Sequence, residues 1–466
     1  MKIYRFDHAF LPTGWAADVT VSVDDSGIIN NVSSGSSSQS TPPLDDARVE
    51  SISAPVIPGL ANLHSHAFQR AMAGRAERHS AGKQDFWSWR TLMYEVANAV
   101  DPDCLQAIAA QAYLEMLKAG YTSVGEFHYL HNDRDGGSYD DPTEMSGRIV
   151  AAAQTAGIAV THLPVFYAQG GFGGQPPLVE QKRFTQTIDG YLDMVDRLRR
   201  LERHSRDIRI GAAPHSLRAV TPESLSAIIA GVQADDTMTP IHMHVAEQTK
   251  EVDDCLEWCG QRPVEWLLNH APVDGRWCLI HATHMDASET RQLAASDAVA
   301  GLCPTTEANL GDGVFPLTDY VNAGGKFGVG SDSNVEINAA GELRLLDYGQ
   351  RLTRQRRIPI ATATGSAGAR MLTAALDGGA QALGRETGRI AEGYRADLVT
   401  LSPASAHIDP TDPTDMIDGA LYAAPTLPVR DVMVGGHWRI RDGQHPGEEA
   451  ILTRFREAVR STVDRS

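Results

Sequence analysis

From about residue 57 the chain repeats one pattern. Short runs of β-branched and other apolar residues alternate with longer stretches whose apolar positions recur at helical spacing. Eight such runs stand out: PVIPGLANLH, YTSVGEFH, IAVTHLPVFY, IRIGAAPHS, PIHMHVAE, WCLIHAT, AVAGLCPT and KFGVGSDS. Between the first two, DCLQAIAAQAYLEMLKAG (Asp103 to Gly120) places apolar residues on one helical face and closes on a glycine. TPESLSAIIAGVQ opens with Thr221 as a helix N-cap and Pro222 at the first helical position. Eight strand–helix units predict an α/β protein built on a (β/α)8, TIM-like barrel over residues 57–387.

The two ends read differently. Residues 1–56 pattern as short strands and turns. Strands return after about residue 388, in GRIAEGYRADLVTLS and VRDVMVGGHWRIRDG, and a terminal helix follows. Segments 1–56 and 388–466 are expected to combine into a small β-sandwich beside the barrel. NVSSGSSSQSTPP (31–43) is Ser/Pro-rich and reads as a surface loop. GGFGGQPP (170–177) lacks the phosphate-loop pattern and is expected to be a flexible loop after strand 3, placed to act as a lid.

Composition narrows the setting. No stretch of 18 apolar residues occurs among the 466, so no membrane span is expected. The N-terminal MKIYRFDHAF lacks an apolar signal core. Five cysteines in so long a chain make no disulfide framework, which points to a reducing cytoplasm. Cys255 and Cys259, four apart on one helical face, are expected to be structural thiols. A formal net charge of −18 argues against nonspecific binding to nucleic acid or anionic membranes, and leaves a small-molecule substrate open. The basic run RLRRLERHSR (197–206) is expected to be a solvated helix face.

In a (β/α)8 barrel, reactive side chains sit at the C-terminal ends of strands. Strand 1 ends with His64 and His66, and strand 5 with His242, His244 and Glu247. Strand 6 ends with His281 and His284, and strand 8 with Asp332. Each has an ordinary alternative. His-x-His pairs are often structural, His281 suits a core histidine, and Asp332 after a glycine suits a turn cap. Their joint placement on one rim favours a metal site. Three imidazoles and one carboxylate, with water in an open position, suit a catalytic Zn2+.

HSH, HVAE, IH and GSD, in this order along the chain, resemble the amidohydrolase superfamily. The resemblance implies His64, His66, His244 and Asp332 as metal ligands and Glu247, His281 and Asp332 as catalytic residues. His-x-x-Glu spacing then leaves His242 for packing or support behind the ligands. Binuclear members bridge two metals with a carboxylated lysine on strand 4. Neither IRIGAAPHS nor IAVTHLPVFY holds a lysine, so one metal is expected: zinc, with iron used by some relatives. The resemblance also implies a homodimer.

Further stretches narrow the resemblance: HSHAFQRAMAGRAE with Gln69, DFWSWRTLMY with Arg90, GEFHYLHN with Tyr129, APHSLRAV with His215 and Arg218, and CPTTEANLGDG. They are similar to superfamily members that deiminate N-formimidoyl-L-glutamate in histidine breakdown. That implies substrate contacts from Gln69, Arg90, Tyr129, His215 and Arg218. The chemistry agrees, because the guanidinium fork binds carboxylates and this substrate carries two. A local cationic lining can recruit a dianion to an acidic protein. The tryptophans of FWSWR, Trp87 and Trp89, are expected to pack so as to orient Arg90. In the implied reaction Asp332 takes a proton from water, Glu247 protonates the departing nitrogen, and His281 stabilises the tetrahedral centre or helps steer protons. Two other classes stay open. One is an aminohydrolase for a different amidine or a nucleobase, which would need an apolar slot with amide edge readers. The other is a noncatalytic binding module, which the complete ligand set disfavours.

Overall fold

The computed structural model describes residues 1–35, 49–77, 86–360 and 365–464. Strands β1 (Lys2–Leu11), β2 (Gly14–Val23), β3 (Ile29–Ser34), β4 (Val49–Ile52) and β5 (Val56–Pro58) open the chain. Nine short strands follow: β6 (Leu60–Ser65), β7 (Tyr121–His128), β8 (Ala159–Phe166), β9 (Ile208–Ile210), β10 (Ala213–Pro214), β11 (Ile241–Val245), β12 (Trp277–His281), β13 (Val299–Leu302) and β14 (Lys326–Val329). Three more close it: β15 (Leu398–Leu401), β16 (Val429–Val434) and β17 (His437–Ile440). The run IRIGAAPHS supplies both β9 and β10.

The middle strands form two all-parallel sheets. In one, β6, β7 and β8 are neighbours and both β9 and β10 pair with β8; the other runs β11-β12-β13-β14. Backbone bridges link the two sheets at both seams, Ser65 with Asp332 on one side, and Ala212 with Ile241 and Ser216 with His244 on the other. Nearly every residue of these strands is buried. Helices cover their outer faces, which is why the runs are continuously apolar and do not alternate. The helix after Thr221 begins where the sequence places its cap, with Thr221 accepting from the Ser224 amide; the helix Pro102–Lys118 starts one residue before the expected stretch and is capped by Asp101, which accepts from the Cys104 amide. The last turn of the helix Ala367–Leu383 seals the end away from the histidines, where Leu383 O accepts from the Thr161 hydroxyl at 2.9 Å.

The chain ends do come together, but as one hydrogen-bonded eight-stranded sheet, ordered β17-β16-β15-β5-β1-β2-β3 with β4 also on β1. Tyr4, Phe6, Val19, Val21, Leu398 and Met433 give it a core separate from that of the parallel sheets. The run PVIPGLANLH is two strands. At Gly59 the chain leaves this sheet, where its amide still bonds Asp397 O, and at Leu60 it enters the parallel one by bonding Gly120 O. The change of sheet falls after Pro58, two residues beyond the expected boundary. The terminal helix Glu448–Val463 lies against the helix Pro102–Lys118, with Lys118 Nζ 2.5 Å from Glu448.

Of the Ser/Pro-rich run, 31–34 belong to β3 and 36–43 lie outside the described residues. The side chain of Trp87 also lies outside them. The basic run is solvated at Arg197, Arg200 and Arg203. Arg199 departs from that expectation: it is buried and donates to Val232 O at 2.6 Å and Thr239 Oγ1 at 2.9 Å. Among the described residues no helix is long and apolar enough to cross a membrane.

Candidate active site

The two seams bring the rim residues together. Asp332 sits just past β14, and its amide donates to His64 O while its carbonyl accepts from the His66 amide, both at 2.9 Å. Gly330 makes this approach possible, because a Cβ there would lie 2.7–2.9 Å from backbone and Cβ atoms of His64. Asn334 clamps the turn by donating to Ser65 Oγ, His66 O and Asp332 O. Asp332 and His281 both adopt left-handed φ values, +46° and +69°, a strained backbone of the kind that collects at functional sites.

The ligating atoms of His64, His66 and His244 lie within 4.8 Å of one another, as do those of His281, Cys303 and Asp332. His66 Nε2 is 3.3 Å and His64 Nε2 3.5 Å from Asp332 Oδ1, and His244 Nε2 is 3.1 Å from His64 Nε2. The tautomers follow from the partners. His66 Nδ1 bonds Phe127 O at 2.8 Å and His244 Nδ1 bonds His215 O at 3.2 Å. A carbonyl only accepts, so both Nδ1 atoms carry the proton and both Nε2 atoms present lone pairs inward. Burial holds His64 neutral, down at about 3, and lowers His66 and His244 as well. Lone pairs facing one another and a carboxylate repel unless a cation lies among them. The donor set, imidazole nitrogen and carboxylate oxygen, fits a divalent metal such as zinc. His242 lies deeper on the same strand, where its Nε2 bonds Ala382 O at 2.7 Å, away from the cluster.

Beside this cluster lies an acid–base group. His281 Nε2 is 3.7 Å from Asp332 Oδ2 and 3.8 Å from Glu247 Oε1, and Nδ1 meets Glu307 Oε1 at 3.2 Å. Burial opposes charge on His281, but Glu247, Glu307 and Asp332 outweigh it and lift the imidazole to about 10. Burial likewise raises Glu247, against the pull of His281 and Arg218. Burial would also raise Asp332, yet the imidazole of His64 beside it, followed by those of His66 and His281, keeps it well below the usual carboxylate range. The sequence reading missed Glu307, four residues after Cys303 in CPTTEANLGDG. Nothing local marks it, because its partner lies on β12.

A cavity of about 280 Å³ opens over the cluster. Its walls include Gln69, Arg90, Tyr129, His215 and Arg218, so all five expected contact residues share it with His66, His244, Glu247, His281 and Asp332. Gln69 Nε2 donates to the Tyr129 hydroxyl at 2.8 Å. Arg218 reaches Glu247 at 3.7 Å and Glu251 at 3.6 Å. It is thus a cavity residue and an ion-pair partner at once. Arg90 Nε donates to the Tyr94 hydroxyl at 2.6 Å. Trp89 lines the same wall and packs against the core, but sequence reading overlooked Tyr94, one helical turn from Arg90. Gly170, Gly171 and Phe172 of the glycine-rich loop lie at the mouth, where Phe172 stacks on Trp258. Cys255 is buried and Cys259 partly so; both are free thiols, as expected. His284 is turned away to Asp312 O at 2.8 Å.

Comparison with known proteins agrees with this geometry. A family model described as "Amidohydrolase family" matches residues 56–439. The chain is 45% identical to formimidoylglutamate deiminase of Pseudomonas aeruginosa over 460 residues, which span 98% of this chain and 99% of that one. Among solved structures, an amidohydrolase from Brucella melitensis superposes with a TM-score of 0.91 at 42% identity, covering 99% of this chain and 100% of that one. An adenosine deaminase from Xanthomonas campestris, solved with bound zinc, shares the fold with a TM-score of 0.79 at 22% identity, covering 99% and 98%.

Proposed function

The chain belongs to the amidohydrolase family, and from that premise we propose that it hydrolyses N-formimidoyl-L-glutamate to N-formyl-L-glutamate and ammonia with one zinc ion per subunit. The observation that carries this reading is that Arg90 and Arg218 line the same cavity as the His/Asp cluster. Two guanidinium groups in one pocket match a substrate with two carboxylates. The 45% identity to a formimidoylglutamate deiminase, over nearly the whole of both chains, supports the same choice over a nucleobase.

His64, His66, His244 and Asp332 would hold the metal. When bound, it acts as a Lewis acid and brings the pKa of a water toward neutrality. The remaining steps belong to side chains of this protein. Asp332, kept ionised, accepts a proton from the attacking water. A C–O bond forms at the formimidoyl carbon. His281, facing the carboxylates of Glu307 at 3.2 Å and Asp332 at 3.7 Å, stabilises as a cation the negative charge that develops at the attacked centre. Glu247, whose raised pKa lets it carry a proton, protonates the nitrogen of the amidinium-derived tetrahedral centre; as the C–N bond breaks, the hydroxyl proton returns to Glu247, the formyl C=O forms, and ammonia leaves with the proton taken up by Asp332. Arg218 lies beside Glu247 and takes the carboxylate nearer the reacting end; Arg90 takes the distal one. Gln69, Tyr129 and His215 complete the walls.

We read the two bridged parallel sheets as halves of one (β/α)8 barrel over residues 57–387. The sheet built from 1–56 and 388–466 is then the small sandwich-like unit beside it. The active form is a cytoplasmic homodimer. The test is ammonia release from N-formimidoyl-L-glutamate, before and after chelation and after restoring zinc, beside a panel of other amidines and nucleobases. Release from a panel member at higher kcat/KM than from formimidoylglutamate would replace this reading.

A further inference from the structure

Behind the cavity wall that carries Arg90 lies a polar side chain with no place in the reaction above. Gln181 is fully buried. Its Oε1 accepts from the Leu178 amide at 2.8 Å, which fixes which way the amide faces. Its Nε2 therefore points the other way, and it donates to two phenol oxygens, Tyr94 at 2.9 Å and Tyr167 at 2.7 Å. Both tyrosines line the cavity on the same wall as Arg90. The Tyr94 oxygen accepts from Arg90 Nε as well.

The direction of these bonds matters. A phenol has one hydrogen to give and two lone pairs to offer. Two donors fill the lone pairs of the Tyr94 oxygen, so its own O–H can act only as a donor. Gln181 fills one on Tyr167 in the same sense. One amide thus sets the polarity of two hydroxyls, and both become donors beside a guanidinium. That is the lining a carboxylate requires. An amide turned the other way would accept those hydrogens and leave lone pairs facing an anion.

The segment around Gln181 also fastens the helix Phe86–Ala99, which carries Arg90 and Tyr94. Asn98 Nδ2 donates to Glu180 O at 3.1 Å, and the buried Arg183 donates to Ala97 O at 2.5 Å and Val100 O at 2.8 Å. These bonds tie the helix that carries Arg90 and Tyr94 to the segment that carries Gln181.

We propose that Gln181 is a positioning residue that orients the hydroxyls of Tyr94 and Tyr167 as donors, so that with Arg90 they form the subsite for the distal carboxylate and select a five-carbon dicarboxylate. The assignment of that carboxylate rests on the function proposed above. Gln181→Glu tests it, because glutamate keeps the shape and the Leu178 bond but turns the other two contacts from donors into acceptors.

Two measurements separate this role from a general one. The first is steady-state ammonia release from N-formimidoyl-L-glutamate and from N-formimidoyl-L-norvaline, which lacks the distal carboxylate. Gln181→Glu and the double variant Tyr94→Phe/Tyr167→Phe should each raise KM for the glutamate compound about tenfold or more. kcat should change far less, and the norvaline compound should not share the loss. The second is calorimetric binding of N-acetyl-L-glutamate and N-acetyl-L-norvaline to the zinc-loaded protein, with zinc content and melting temperature recorded for each variant. The glutamate ligand alone should lose affinity. Equal losses on both compounds, or none on either, overturn the proposal. A protein that releases no ammonia from formimidoylglutamate contradicts the functional reading instead, and the binding pair still decides the subsite. Wild-type protein that binds the two acetyl compounds equally would refute it.

Discussion

His66 and Asp332 meet twice. The His66 amide donates to Asp332 O at 2.9 Å, and His66 Nε2 stands 3.3 Å from Asp332 Oδ1. The backbone bond fixes the register of the seam between β6 and β14, and the side chains meet because of it. Asp332→Asn keeps the backbone bond but removes the anionic ligand. Zinc measured by elemental analysis after mild chelation should fall well below one equivalent while wild type retains it. Ammonia release should drop by about a thousandfold or more, since both a metal ligand and the proton acceptor are lost. Full zinc retention by this variant would remove Asp332 from the ligand set.

Glu307 keeps His281 charged. It faces Nδ1 at 3.2 Å, and it is one of three carboxylates that lift the imidazole to about 10 against the effect of burial. Taking away a negative neighbour lowers the pKa of a cation. The alkaline limb of the rate profile of Glu307→Gln should therefore move toward lower pH, by about one pH unit, with zinc content unchanged. An alkaline limb that stays in place would mean that His281 is not the group that titrates there.

Arg90 and Arg218 should fail differently. Arg90 bonds a tyrosine hydroxyl, so Arg90→Met should raise KM about tenfold or more and spare kcat. Arg218 reaches the carboxylates of Glu247 and Glu251, and its charge pulls Glu247 downward. Arg218→Met should raise KM and also shift the pH dependence of kcat upward, because Glu247 loses a cationic neighbour. The check is a full pH series of kcat and KM for both variants. Identical profiles for the two would deny Arg218 its link to Glu247.

Glu126 gives a stability prediction. It is buried on β7, its Oε1 accepts from the Ala67 amide at 2.7 Å, and burial raises its pKa from 4.5 to about 8. The folded protein keeps this carboxyl protonated where the unfolded chain has lost the proton. Stability is therefore fullest below the unfolded value and is lost as pH rises through about 8. Between the two pKa values each step of one pH unit costs about 1.4 kcal/mol. Glu126→Gln cannot ionise. Its melting temperature should fall less than that of wild type between pH 6 and pH 9, and the two curves should diverge on the alkaline side. Parallel curves would show that Glu126 titrates normally.

Much of this molecule is written in short-range pattern. The alternation of apolar runs and helical periods, Thr221 as a cap, and the polar residues at the ends of β6, β11, β12 and β14 were all legible, because a residue's face on a strand or helix depends on its near neighbours. The choice of His244 over His242 came with the family resemblance, through its His-x-x-Glu spacing, and the structure sets His244, not His242, beside His64. The sequence did not separate the ladder of β5 from that of β6, because one apolar run is compatible with either sheet until Asp397 and Gly120 offer their carbonyls. Nor did it reveal Gln181, Glu307 or Glu126. Each is an ordinary polar residue in its own stretch and takes on its distinctive contacts only through a partner that folding brings from another element. Local sequence determined which side chains could reach the rim. Long-range packing decided which of them face one another, since charge, proton affinity and donor direction are properties of pairs.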